Sequence, residues 1–206
     1  MADFNPVYIE TSKNEGDFQN YSNDKANYCN GNLIGTNRGI SAVGFKGYYG
    51  HCPTVEQIKA VTANDAKEIY RKNYWGKIRG DEIKDQSVAR VIFGMYIGSP
   101  VLTISIVNKV LSEKFNKNVK ASSVFSDELI KTLNKLPPKR LFEALKEEKM
   151  TRIRQSSNKM FITGWLGKYE RMLYEKSNRP FIFMGVASVI LAITFLILVK
   201  KKIIKL

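Results

Sequence analysis

AKEIYRKNYWGKIRGDEI, Ala66 to Ile83, is the most distinctive stretch of the chain, and its reading sets the fold. It is entered through Thr62 and Asp65, whose spacing is that of a capping box, the reciprocal pair that satisfies the orphan N–H groups of a helix start. Tyr70, Tyr74 and Trp75 follow at helical spacing. Aromatics so spaced read first as core; left exposed beside a groove, Tyr70 and Trp75 would instead be platforms for a sugar ring. Lys72, Lys77 and Arg79 read as solvated surface groups or as contacts to an anionic polymer.

Helical signals continue on both sides. Upstream, Phe4, Val7, Tyr8 and Thr11 predict a helix over 4–14 that Gly16 stops. Glu15 would then face the negative end of the helix dipole, which raises a carboxyl pKa when the group is also partly desolvated. Residues 17–50 are rich in Gly and Asn, with short apolar pieces such as "NLIG" and "GISAVGF". They predict irregular loops or a small hairpin sheet. Helices are expected to begin at Thr54, Thr62 and Asp85, then over 99–115, 126–136, 138–155 and 161–176. The span 99–115, with Pro100 in its first turn and Leu102, Ile106, Val110 and Leu111 on one face, is the expected central helix. The fold class is mainly α with a small turn-rich or β-hairpin lobe.

With 206 residues, 44% hydrophobic and 25% charged, the chain is too apolar to be disordered and long enough for one packed domain or two small ones. Its formal charge of +14, from 33 Lys and Arg against 19 Asp and Glu, draws it to polyanions. A nucleic-acid partner is disfavoured, because no basic run is interleaved with aromatics and no binding motif is present.

Pro180 to Val199, PFIFMGVASVILAITFLILV, is free of charge over 20 residues. That matches the roughly 20 needed to cross a hydrocarbon core about 30 Å thick. The sequence therefore predicts a C-terminal transmembrane helix at 180–199 and a basic tail at 200–206, hence a single-pass membrane protein. Lysines and arginines balance across the span, with a slight preference for a body facing the periplasm or wall. The opening MADFNPVYIE has no basic region followed by an apolar run, so no cleavable signal peptide is expected.

Cys29 and Cys52 read as free thiols, or as one disulfide if the chain meets an oxidising compartment. A metal site with His51 lacks a fourth ligand and the usual spacing, so no metal or other cofactor is expected.

NEGDFQNYSND, Asn14 to Asp24, followed by TNRGIS from Thr36, resembles the opening stretch of glycoside hydrolase family 108, the secretion-activator type of N-acetylmuramidase. Ala66 to Ile83 resembles a second segment of that family, and 85–173 is similar to the predicted peptidoglycan-binding unit that accompanies it. The resemblance covers roughly residues 4–174. It implies a lysozyme-like α+β fold, with 1–83 a catalytic lobe and 84–176 a helical peptidoglycan-binding unit packed on it. It further implies a muramidase whose partner is bacterial peptidoglycan. Two features depart from the family pattern: Asp17 stands where a second glycine is usual, and a longer KANYCNGNLIGT follows Asp24.

Carried over residue by residue, the resemblance makes Glu15, Asp24 and Thr36 the catalytic candidates. Glycoside cleavage needs one carboxylic acid to protonate the leaving oxygen, and commonly a second group to hold water or stabilise an oxocarbenium-like state. Glu15 is the expected acid, Asp24 its partner and Thr36 a water-positioning hydroxyl. Asp17, Arg38, Tyr70 and Trp75 are the expected substrate contacts. The alternative is a noncatalytic peptidoglycan-binding protein whose cleft has degenerated through the Asp17 change and the insertion.

Overall fold

The computed structural model describes residues 1–13, 15–120, 123–156 and 162–176. Helix α1 (Phe4–Ser12) starts behind Asp3, whose carboxylate accepts from the Asn5 N–H at 3.0 Å, and buries Phe4, Val7 and Thr11. The chain start is held against the far end of the aromatic stretch, with the Ala2 N–H donating to the Ile83 carbonyl at 2.8 Å.

Two short antiparallel hairpins follow, β1 (Tyr28–Cys29) with β2 (Asn32–Leu33) and β3 (Thr36–Asn37) with β4 (Ile40–Ser41). Each turns through two residues at positive φ, Asn30–Gly31 and Arg38–Gly39. That backbone suits a two-residue hairpin because its twist matches that of the flanking strands. Ser41 then caps α2 (Ala42–Tyr49), its hydroxyl accepting from the Gly44 N–H at 3.1 Å. The sequence predicted loops or a sheet over this segment. A helix forms instead because the cap lies immediately ahead of it, Phe45 finds a buried place, and Gly50 ends it in the left-handed conformation.

Helices α3 (Val55–Lys59) and α4 (Ala63–Tyr70) both open with capping boxes, from Thr54 with Gln57 and from Thr62 with Asp65. A single π-helical turn, Arg71–Trp75, continues α4. Its extra residue per turn brings Trp75 fully inside, against Phe4 and Phe93 at ring separations of 5.7 Å. The indole N–H donates to Asp81 at 3.0 Å, and Arg71 holds the same carboxylate through two nitrogens. Gly80 is required opposite the indole, since a Cβ there would lie 2.2 Å from the ring.

The rest is helical: α5 (Gln86–Gly98), α6 (Pro100–Phe115), α7 (Asp127–Leu133), α8 (Pro138–Arg154) and α9 (Ile162–Glu170). The central helix is α5, not 99–115 as the sequence suggested. Eight of its 13 residues are buried, whereas α6 leaves Val101 on the surface. The last predicted helix is shorter than expected. It stops at Glu170, and the chain then folds back over α5, with Met172 buried and the Tyr174 hydroxyl donating to Asp85 at 3.0 Å. Arg79 joins the early residues to α7 by pairing with Glu82 and Asp127.

Met1–Glu175 forms one compact unit, so the two parts expected at 1–83 and 84–176 share a core. Mainly α architecture with small β elements agrees with the sequence. Among the described residues no helix is long and apolar enough to cross a membrane, so the structure does not support the expected anchor. The predicted span at 180–199 and tail at 200–206 lie outside the described residues. The membrane partner and single-pass localisation rested on that span alone and are likewise not supported.

Candidate active site

Glu15 leaves α1 by three residues, its N–H donating to the Ser12 carbonyl at 3.2 Å. It therefore lies past the helix end rather than on it. Its half-buried carboxyl lies against the β3–β4 turn. A Cβ placed on Gly39 would come within 2.6 Å of Glu15 Oε2 and 2.2 Å of the Tyr70 hydroxyl, so only a glycine admits both groups. The same glycine sits at φ 73°, a conformation side chains disfavour. The turn is tied to the Glu15 segment by the Arg38 N–H, which donates to the Gly16 carbonyl at 3.2 Å.

Burial pushes the Glu15 carboxyl above the usual carboxylate range, while the positive charge of Lys168 and a hydrogen bond from Tyr70 pull it back part of the way. The Tyr70 hydroxyl also lies 3.3 Å from the Gly39 carbonyl. It is itself raised well above its ordinary value by burial and by the charge of Glu15. Tyr74 is raised for the same two reasons, so it belongs to this shell, and Tyr8 adds a third phenol beside Tyr70 at 5.8 Å. Glu15 thus looks onto phenols from α4 and the π-turn. Such a wall removes water without supplying a full countercharge.

Thr36 sits on β3 and bridges by backbone to Gln19, with both N···O separations 2.8 Å. Its hydroxyl donates to Asn27 Oδ1 at 2.6 Å. Asn27 is wholly buried and fully engaged: its Nδ2 donates to Gln19 Oε1 and the Tyr21 carbonyl, and Oδ1 accepts from Gln19 as well. This reciprocal amide pair fixes the Thr36 hydroxyl with its proton turned away and its lone pairs free to accept.

The other candidates are dispersed. Asp24 is exposed and caps the short 3-10 turn Lys25–Asn27, accepting from the Ala26 N–H at 3.0 Å. Asp17 is exposed on the bend after Glu15. Arg38 is exposed at the hairpin tip, its charge felt by the Tyr8 phenol. Trp75 is 0% exposed and belongs to the core, and Tyr70 reaches the site through its hydroxyl rather than its ring face. The hairpin thus brings together Glu15, Gly39 and Tyr70, with Thr36 on its rising strand. Sequence reasoning passed over Gly39, Asn27 and Lys168. Gly39 was visible in TNRGIS, whereas Asn27 resembled any turn residue and Lys168 lies 153 positions downstream of Glu15.

Cys29 and Cys52 form a disulfide that ties β1 to the segment after α2, with Cα atoms 5.7 Å apart. Among the described residues no cluster of His, Cys, Asp and Glu could hold a metal ion.

Residues 8–99 match the family model described as Glycosyl hydrolase 108, and all seven candidate residues fall inside that match. Among solved structures the chain is similar to SagA of Brucella abortus, with a TM-score of 0.69 and 22% identity over 82% of this chain and 90% of that one. At that identity the likeness speaks for the fold. No curated protein matches the chain. The family match supports assignment to a glycoside hydrolase family.

Proposed function

We propose that the protein is a peptidoglycan hydrolase that cleaves the glycan strand as a muramidase, with Glu15 as the general acid. The observation that carries this reading is the Glu15 carboxyl itself, pressed against Gly39 and walled by phenols, in a setting that favours its protonated form. A carboxyl that keeps its proton more readily than an ordinary one is what glycosidic oxygen requires as its bond breaks. Thr36, its proton committed to Asn27, can accept a hydrogen bond from the attacking water. Asp24 is assigned as the partner carboxylate, with Asp17 able to serve on the same exposed segment. Arg38 at the hairpin tip supplies positive charge toward an anionic glycan.

The test is chemical. Purified peptidoglycan is digested with the protein and reduced with borohydride, and the reduced sugar is identified. Reduced muramic acid is the expected product. Reduced glucosamine would replace the muramidase assignment with a glucosaminidase. Absence of new reducing ends would favour the noncatalytic wall-binding reading.

A further inference from the structure

Beyond the Glu15 site, a cavity of about 360 Å³ opens between the end of α5, the start of α6, and one face each of α8 and α9. That volume is in the range of small-ligand sites. Ile97, Leu102, Ile153 and Trp165 line it, and Trp165 is 42% exposed. Lys149 and Lys168 also line this mainly apolar pocket.

Their placement calls for an anion. The pKa of Lys149 is lowered by burial first and by the charge of Lys168 second. The carboxylates of α8 are engaged elsewhere. On α8, Glu143 pairs with Lys146, Glu147 with Arg154, and Glu148 with Lys109 and Arg152. Among the described residues neither Lys149 nor Lys168 forms an ion pair. The N-cap of α6, Ser99, lies on the pocket wall, so the positive end of a 16-residue helix adds to the same field.

A second, smaller cleft shares Gly94 and Lys168 with the pocket and reaches Val7 and Thr11 on α1, the helix that leads into Glu15. Lys168 is the same residue whose charge is felt at Glu15. A ligand held by Lys168 would therefore engage the same side chain whose charge acts on the proposed acid.

We propose that this pocket binds a peptide carboxylate, the anion held by Lys149 and Lys168 and the aliphatic side chains by Trp165, Leu102 and Ile153. On the peptidoglycan-hydrolase reading, on which this identification of the ligand's source rests, the peptide is the short stem carried by the glycan strand. The site would then select substituted strands over bare sugar polymers.

The experiment uses the full chain and the fluorescence of Trp165, Trp75 being the second of the two tryptophans and wholly buried. The probes are N-acetyl-D-alanyl-D-alanine, its C-terminal amide, and inorganic phosphate, with Trp165→Phe as the optical control. Saturable change with the carboxylate is expected, with the amide and phosphate each weaker by about ten-fold or more. Lys149→Met should weaken the carboxylate by a similar factor and Lys149→Arg restore most of it. Equal binding of acid and amide, or of peptide and phosphate, overturns the proposal, as does an unchanged affinity in a folded Lys149→Met. Wall hydrolysis is followed in parallel. Hydrolysis without carboxylate binding rejects this site and leaves the activity standing, whereas binding without hydrolysis rejects the activity and, with it, the stem as source.

Discussion

At Glu15 burial opposes ionisation, and Lys168 and Tyr70 oppose burial, with burial the larger influence. The sign for stability follows. Below the ordinary value of 4.5 the group is protonated in both folded and unfolded chains and makes no difference. As pH rises through the higher folded value, the folded chain must ionise a desolvated carboxyl, and stability is lost. Glu15→Gln should therefore melt higher than the parent above that value and at the same temperature at low pH. Thermal melts across the range check this; a constant difference at all pH values would mean that the carboxyl is not perturbed by folding. Activity should fall as pH rises through the same value, since the acid must carry its proton. Tyr70→Phe removes an influence that lowers it and should move the falling limb of kcat/KM to higher pH. Gly39→Ala is the sharpest steric probe. Its backbone strain alone costs about 1–2 kcal/mol, and its methyl would displace Glu15 or Tyr70, so activity should drop far more than the melting temperature implies.

Among the elements, the helix starts were the most legible feature of the sequence. Thr54, Thr62, Asp85, Ser99 and Ser126 were all read as starts and all accept a backbone N–H as caps, because capping is local chemistry between residues a few positions apart. Helix α2 escaped because Gly44 and Gly47 lower its propensity, and what stabilises it is tertiary. Gly44 even has a use there, since a Cβ on it would approach the Tyr74 hydroxyl at 3.3 Å. The disulfide was left open for the same reason: 23 residues separate the cysteines, and only the packing of α2 on the first hairpin brings them together. Closing a loop of that length restricts the unfolded chain by about 3 kcal/mol in the chain-entropy account. Replacing both cysteines by serine should lower the midpoint of chemical denaturation accordingly, and an unchanged midpoint would show that the hairpin lobe does not need the link. Within the candidate site, short motifs are what point to Glu15 and Thr36. The buried amide pair beneath Thr36 was not, because hydrogen-bond saturation at Asn27 depends on Gln19 and Tyr21 being folded over it.

For the whole molecule, the compact unit ends at Glu175, and Arg90 on α5 helps to close it by pairing with Glu10 and Glu175. A chain of residues 1–176 should accordingly melt cooperatively and keep its wall-degrading activity. A broad, non-cooperative transition would show that the unit is incomplete. The charge of +14 makes capture by an anionic wall dependent on salt; the screening length shrinks from about 8 Å at physiological ionic strength to about 3 Å at 1 M. Binding should weaken over that range while cleavage of a short soluble glycan changes little. The central claim is that one carboxyl, placed by one glycine turn, breaks the glycan. It is tested most directly by following turbidity of isolated peptidoglycan with the parent protein and with Glu15→Gln, both verified as folded by circular dichroism. The account predicts clearing by the parent and none by the variant. Clearing at equal rates would contradict it.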